Sequence, residues 1–119
     1  MNTSNFHFES IQNNHLYFLR QKTPIHISNI ILLEAKVNYT NIYLKNGKKV
    51  MLAKTLKSFE DLLLNHHFYR IHRAFLINGN HLQAYDSDLG EVILTNNHRV
   101  TTSRRRKELF ENQIKGVQF

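Results

Sequence analysis

Phe68-Tyr69-Arg70-Ile71-His72-Arg73-Ala74-Phe75-Leu76-Ile77-Asn78 is the stretch whose reading decides the fold of this chain. Two apolar runs, Phe68 to Ile71 and Phe75 to Ile77, stand on either side of a His72-Arg73 step. Both are rich in aromatic and β-branched side chains, which suit a pleated, half-buried surface, so both predict strands. An imidazole and a guanidinium are costly in a core without partners. A strand pair that bends at His72-Arg73 and ejects both side chains reconciles the two facts. Taken alone, Arg70 and Arg73 read as solvated edge charges that discourage aggregation.

Upstream of this stretch lies a hairpin pattern. Thr40, Ile42 and Leu44 alternate with Asn41, Tyr43 and Lys45, Asn46-Gly47 follows, and Lys48 to Ala53 returns as the partner strand. Asn-Gly is a strong hairpin signal because both residues tolerate positive φ. Over 55–65 the period changes: Leu56, Phe59, Leu62 and Leu63 share one helical stripe, with Thr55 as N-cap and His66-His67 beyond the C-terminus. Ile25, Ile27 and Ile30 to Leu33 predict buried strand after a turn or strand start at Thr23-Pro24, and His15 to Arg20 predicts a first strand. Residues 1–13 show no period, so 1–14 are assigned as an N-terminal extension and 15–119 as the folded domain.

Downstream, His81 to Tyr85 predicts a strand and Asp86 to Gly90 a turn. Glu91 to Thr95 and His98 to Thr102 form a second hairpin pattern across Asn96-Asn97. Leu109, Phe110 and Ile114 then suggest a short C-terminal helix ending at Gly116. The expected class is mainly β: short strands, one clear helix near 55–65 and a short terminal one.

Composition narrows the chemistry. A chain of 119 residues is one domain on length. The absence of cysteine excludes disulfides and thiolate catalysis. Sixteen Lys and Arg against nine acids give a net charge of +7, which points to a polyanionic partner, nucleic acid before anionic membrane. No apolar run is long enough to span a membrane, and the N-terminus lacks the pattern of a signal peptide, so the expected location is cytoplasmic. His66, His67, His72 and His81 match no zinc spacing, and no Gly-rich phosphate loop or GxSxG appears, so neither a metal, a cofactor nor an enzyme is expected.

Two polar interruptions have possible binding chemistry. Arg99 to Lys107 carries five basic residues and no acid. Ser103 reads as a helix cap, yet Arg104, Arg105 and Arg106 follow it, and cations in a first turn oppose the helix dipole. A local rule broken in this way suggests function, and an anion there would gain from hydroxyl, amides and guanidinium groups together. Lys36-Val37-Asn38-Tyr39-Thr40 joins two expected strands. Asn38 suits adenine, but Asn suits a bulge or turn equally well.

The blocks Leu33-Glu34-Ala35, Asn38-Tyr39-Thr40, Lys45-Asn46-Gly47-Lys48, Phe68 to Asn78 and Ser103-Arg104-Arg105, in that order, resemble the LytTR family of bacterial DNA-binding domains over roughly residues 15–115. The resemblance implies an elongated fold of packed small antiparallel sheets that reads promoter DNA through loops, without a helix-turn-helix. Carried over by motif position, the first loop is Asn38, Tyr39 and Thr40, the second His72 and Arg73, and the third Ser103, Arg104 and Arg105. Arg73 and Arg105 are then the expected base readers; Asn38 contacts a base or phosphate, and Lys36, Ser103, Arg104 and Arg106 clamp phosphates. His72 either faces DNA or locks the bend. Ala74 and Thr101-Thr102 depart from the family pattern, where Ser and an apolar residue are usual. Such domains commonly follow a receiver domain, for which these 119 residues have no room, so the chain reads as a free-standing regulator or a piece of a longer one. A free-standing regulator implies a kinase or membrane partner upstream, and the family implies homodimers or tandem binding on repeated sites. The alternatives are a general RNA- or nucleic-acid-binding β module and a non-enzymatic protein-interaction domain.

Overall fold

The computed structural model describes residues 9–18 and 23–116. Residues 1–8 of the expected extension, Leu19-Arg20 of the expected first strand, and residues 117–119 lie outside them. The domain is elongated, about 50 × 29 × 28 Å, and its strands form three small antiparallel sheets.

The central sheet has five strands. In chain order they are β4 (Ile30–Ala35), β5 (Thr40–Leu44), β6 (Lys49–Leu52), β7 (Phe68–His72) and β8 (Phe75–Asn78). Their spatial order is β6-β5-β4-β8-β7. A smaller sheet joins β1 (Glu9–Gln12), β2 (His15–Phe18) and β3 (Ile25–His26). The third sheet joins β9 (Leu82–Asp86), β10 (Glu91–Leu94) and β11 (His98–Thr101). Helix α1 (Leu56–Leu62) follows β6, and α2 (Arg104–Gln113) follows β11.

The central sheet is buried on both faces. Ile30, Leu33, Ile42, Phe68 and Leu76 meet Leu56, Phe59 and Leu63 around α1, and Leu16 and Ile25 of the first sheet. On the opposite side Ile31, Leu32, Ile71 and Ile77 meet Leu82, Val92, Leu94 and Val100 of the third sheet, and Phe110 and Ile114 around α2. This arrangement explains the unbroken apolar run Ile30 to Leu33: a strand covered on both faces has no polar side to alternate with. A register shift between Ile30 and Leu32 sends the consecutive pair Ile31 and Leu32 into the same core, as a bulge does. A second shift, between Arg70 and His72, leaves Ile71 without a partner residue in β8 near the end of β7.

Three turns differ from expectation. Glu9–Gln12 fall within the expected extension, yet they pair with β2. The cause is Asn13-Asn14, which holds φ of 52° and 63° between the paired Gln12 and His15, a two-residue turn of the twist that hairpins prefer. At Asn46-Gly47 only Gly47 has positive φ, +89°. Leu44 and Lys48 close a three-residue loop there, in which the Gly47 amide donates to the Leu44 carbonyl at 3.0 Å. The loop at Asn96-Asn97 also has three residues, because Leu94 pairs with His98 and Thr95 leaves the strand. Both Asn there have positive φ, as expected.

Helix α1 is capped where expected, the Thr55 hydroxyl accepting from the Ser58 amide at 3.2 Å. Beyond it His67 has φ of 62° and its carbonyl accepts from the Gly79 amide, so it turns the chain into β7. His81 bridges the sheets, its ring bonded to the Ser28 carbonyl and the Thr95 hydroxyl at 2.6 and 2.8 Å. Among the described residues no group of three or more His, Cys, Asp or Glu is placed to hold a metal.

Candidate nucleic-acid interface

Three polar loops come together because β8 lies between β4 and β7 in the central sheet. The first is the β4–β5 turn. The Lys36 amide donates to the Tyr39 carbonyl at 2.8 Å, leaving Val37 and Asn38 as the tip. Lys36 is exposed and lies 3.4 Å from the Glu34 carboxylate. Glu34 also accepts from the Tyr43 hydroxyl at 2.7 Å. Burial first, and then that hydrogen bond, push the Tyr43 phenol up to about 12, so it stays a neutral donor at ordinary pH.

Thr40 does not belong with the contact residues. It is fully buried, and its hydroxyl donates to the Lys54 carbonyl at 2.6 Å. Its work is to tie the first loop to the β6–α1 junction. Strand alternation explains the error in expectation: Thr40 shares a face with core residue Ile42. Tyr39 is half-buried, and Asn38 is exposed.

The second loop is the Arg73-Ala74 turn between β7 and β8. Arg70 holds it from behind. Its Nε donates to the His72 carbonyl at 2.9 Å, its Nη2 to the Arg73 carbonyl, and its Nη1 to Glu60 on α1 at 2.7 Å. With its side chain only 13% exposed, Arg70 is a structural fork and not the solvated edge charge that its sequence position suggests. His72 holds the loop from its other side: its Nδ1 accepts from the Ala74 amide at 3.0 Å, which places the neutral ring's proton on Nε2. This bond spans two residues, as in a turn capped by Asn or Asp. We therefore expect His72→Ala to cost about 1 kcal/mol of stability in urea unfolding, and His72→Asn to recover much of it. Arg73 is exposed and has no side-chain partner among the described residues.

The third loop is the β11–α2 junction. Thr102 is buried and anchors it, amide and hydroxyl both donating to the Gly90 carbonyl at 2.7 and 3.0 Å. The Thr that departs from the family pattern is thus fully used. Ser103 caps α2, its hydroxyl accepting from the Arg106 amide at 3.3 Å. Arg104 and Arg105 are exposed, with no side-chain partner among the described residues. Arg106 is half-buried and turned back, its Nη1 3.5 Å from the Arg70 carbonyl. This contact sets the start of α2 against β7.

Backbone bonds join the three loops. The Ala35 amide donates to the Ala74 carbonyl at 2.8 Å, linking first to second. The Ser103 amide donates to the Ile71 carbonyl at 2.9 Å, linking third to second. Between the first two loops lies a cleft of about 350 Å³, to which Lys54, Lys57 and Arg73 contribute. Between the second and third lies one of about 370 Å³, lined by His72, Phe75, Arg99 and Ser103. Lys54, Lys57 and Arg99 were not among the expected site residues. The sheet order brings them to this edge; nothing local in the sequence marks Lys54 or Lys57, while Arg99 opens the basic tract that runs to Lys107. Arg70 did leave a signal: a charge two residues from Phe68 on a core-facing strand needs a partner.

A family model, the LytTr DNA-binding domain, matches residues 20–115. The chain belongs to the LytTR family. It is a DNA-binding domain of that type, as the resemblance implied, and its mainly β fold of small antiparallel sheets is the family's. Among solved structures, this LytTR domain is similar to the LytTr DNA-binding domain of a protein described as a methyl-accepting/DNA response regulator from Bacillus cereus. The two share 25% identity at a TM-score of 0.71, over 89% of this chain and 94% of that one. No curated protein matches it. Among the described residues, no helix of this LytTR domain is long and apolar enough to cross a membrane.

Proposed function

We propose that this domain reads duplex promoter DNA in a sequence-dependent way through its three joined loops, as the DNA-contacting part of a transcription regulator. The observation that carries the proposal is the joining itself: two backbone hydrogen bonds hold three loops at one edge, and exposed guanidinium groups of Arg73, Arg104 and Arg105 stand on two of them. Loops fixed to a sheet keep their spacing, which sequence reading requires and simple charge attraction does not. Arg73 and Arg105 are assigned to base edges, where a guanidinium pairs with guanine O6 and N7. Asn38 is assigned to a base or phosphate. Lys36, Ser103 and Arg104 are assigned to phosphates, which fix register without carrying sequence information. Tyr39 and His72 support their loops at the edge of this surface.

The test is a titration of three probes at two salt concentrations: a duplex from the chain's own upstream region, a random duplex and a single-stranded RNA. The upstream duplex should bind about a thousandfold more tightly than the random one. Equal affinity for all three would contradict the proposal, and would favour a general nucleic-acid-binding module. Arg104→Ala should lower the slope of log affinity against log salt by about one unit, equally on every duplex. Arg106→Ala should leave that slope almost unchanged, because its guanidinium is turned toward Arg70.

A further inference from the structure

Val37 occupies the tip of the first loop and is 97% exposed. Turn tips favour Gly, Pro, Asn, Asp and Ser, each for a conformational or hydrogen-bonding reason that Val does not share. Neither Val37 nor its neighbour Asn38 has positive φ, so the turn itself does not account for the residue. Val37 makes no contribution to either core cluster. A single exposed apolar side chain is ordinary on a protein surface. Its location is what sets this one apart. The other exposed large hydrophobics are Tyr17, Met51, Leu64, Leu89 and Leu109, and among the described residues only Val37 lines either cleft between the loops. It shares its cleft with Arg73, the expected base reader of the second loop.

A β-branched side chain has few χ1 states, so Val37 presents its two methyl groups with little rotamer entropy left to lose. The tip is two residues wide and projects from the edge that carries Arg73. In the major groove every base pair offers donors and acceptors, but one apolar group alone is available, the C5-methyl of thymine. We propose that Val37 is a specificity-determining residue that reads a thymine C5-methyl group in the bound duplex. The inference rests on the reading of the loop edge as a duplex-binding surface and adds to it a named base and a named atom.

Replacing thymine with deoxyuridine removes that methyl group and nothing else. A duplex is first enriched from a random pool by binding to the full chain. Each thymine in it is then replaced singly by deoxyuridine. With the native chain, one position should weaken binding roughly fourfold, the equivalent of one buried methyl or methylene. Val37→Ala should bind the thymine duplex roughly fourfold more weakly and lose nothing further from deoxyuridine at that position. Val37→Thr, which keeps the shape and one methyl, should fall between the two. The same deoxyuridine loss in Val37→Ala as in the native chain would overturn the assignment, as would a site with no sensitive thymine. Failure to enrich any duplex would overturn the duplex-binding reading itself, and this assignment with it.

Discussion

Arg70→Ala should lower the stability of the domain by about 2–4 kcal/mol and weaken binding to every DNA alike. The guanidinium has three acceptors: the Glu60 carboxylate and the carbonyls of His72 and Arg73. Both charged partners are largely shielded, with side chains 13% and 26% exposed, so removing one leaves the other poorly solvated. Loss of the fork also frees two carbonyls that define the second loop. Since the first and third loops are bonded to the second, disorder there spreads to both neighbours. Arg70→Lys should recover only part of the loss, because an ammonium cannot reproduce a fork with donors in three directions. Urea unfolding measures the stability term, and duplex titration the binding term. An Arg70→Ala protein with native stability would show that the fork is not a brace.

Arg73→Ala should show the opposite pattern. Its side chain is exposed and has no partner among the described residues, so stability should change by less than about 0.5 kcal/mol. Affinity for the preferred duplex should fall by about 1–3 kcal/mol, and preference should relax at one base pair, with a much smaller loss on random DNA. Comparing the two arginines separates building the loop from using it. They are three residues apart, one in β7 and one in the turn that follows it, yet one is committed to protein acceptors and the other is free to take a base. If Arg73→Ala weakened preferred and random duplexes equally, Arg73 would be a phosphate contact instead.

Sequence pattern was informative where local chemistry decides structure. Thr55 and Ser103 cap their helices as their positions suggest, and the run Phe68 to Asn78 folds as two strands, though the turn falls one residue later than expected, at Arg73-Ala74, because His72 still pairs with Phe75. Asn78 closes that stretch as a buried tie, its amide donating to the Ile30 carbonyl at 2.9 Å. Pattern failed where a contact depends on another part of the chain. Thr40 stands beside Asn38 and Tyr39 in sequence, but the strand pleat turns it into the core. Arg106 follows two exposed arginines, but the third loop is close enough to β7 for its guanidinium to turn inward. The pair Asn13-Asn14 is different, since the same dipeptide at Asn96-Asn97 was read as a turn. At Asn13-Asn14 the weak period of the flanking residues concealed a short strand that pairs with β2 in the same small sheet.

His72 shows how structure resolves a choice that sequence leaves open. The ring nitrogen that accepts from Ala74 makes it a lock on the bend. The remaining Nε2–H is then a donor beside the second cleft, so locking the loop and lying near a bound duplex are compatible.

The most direct test is an amide chemical-shift map of the labelled domain titrated with its enriched duplex. The account predicts that amides of 36–39, 72–74 and 103–105 shift together, with one shared dissociation constant, while those of 45–48 and 95–97 at the other hairpin turns stay in place. Shifts confined to one of the three loops, or centred on the 45–48 and 95–97 turns, would contradict it.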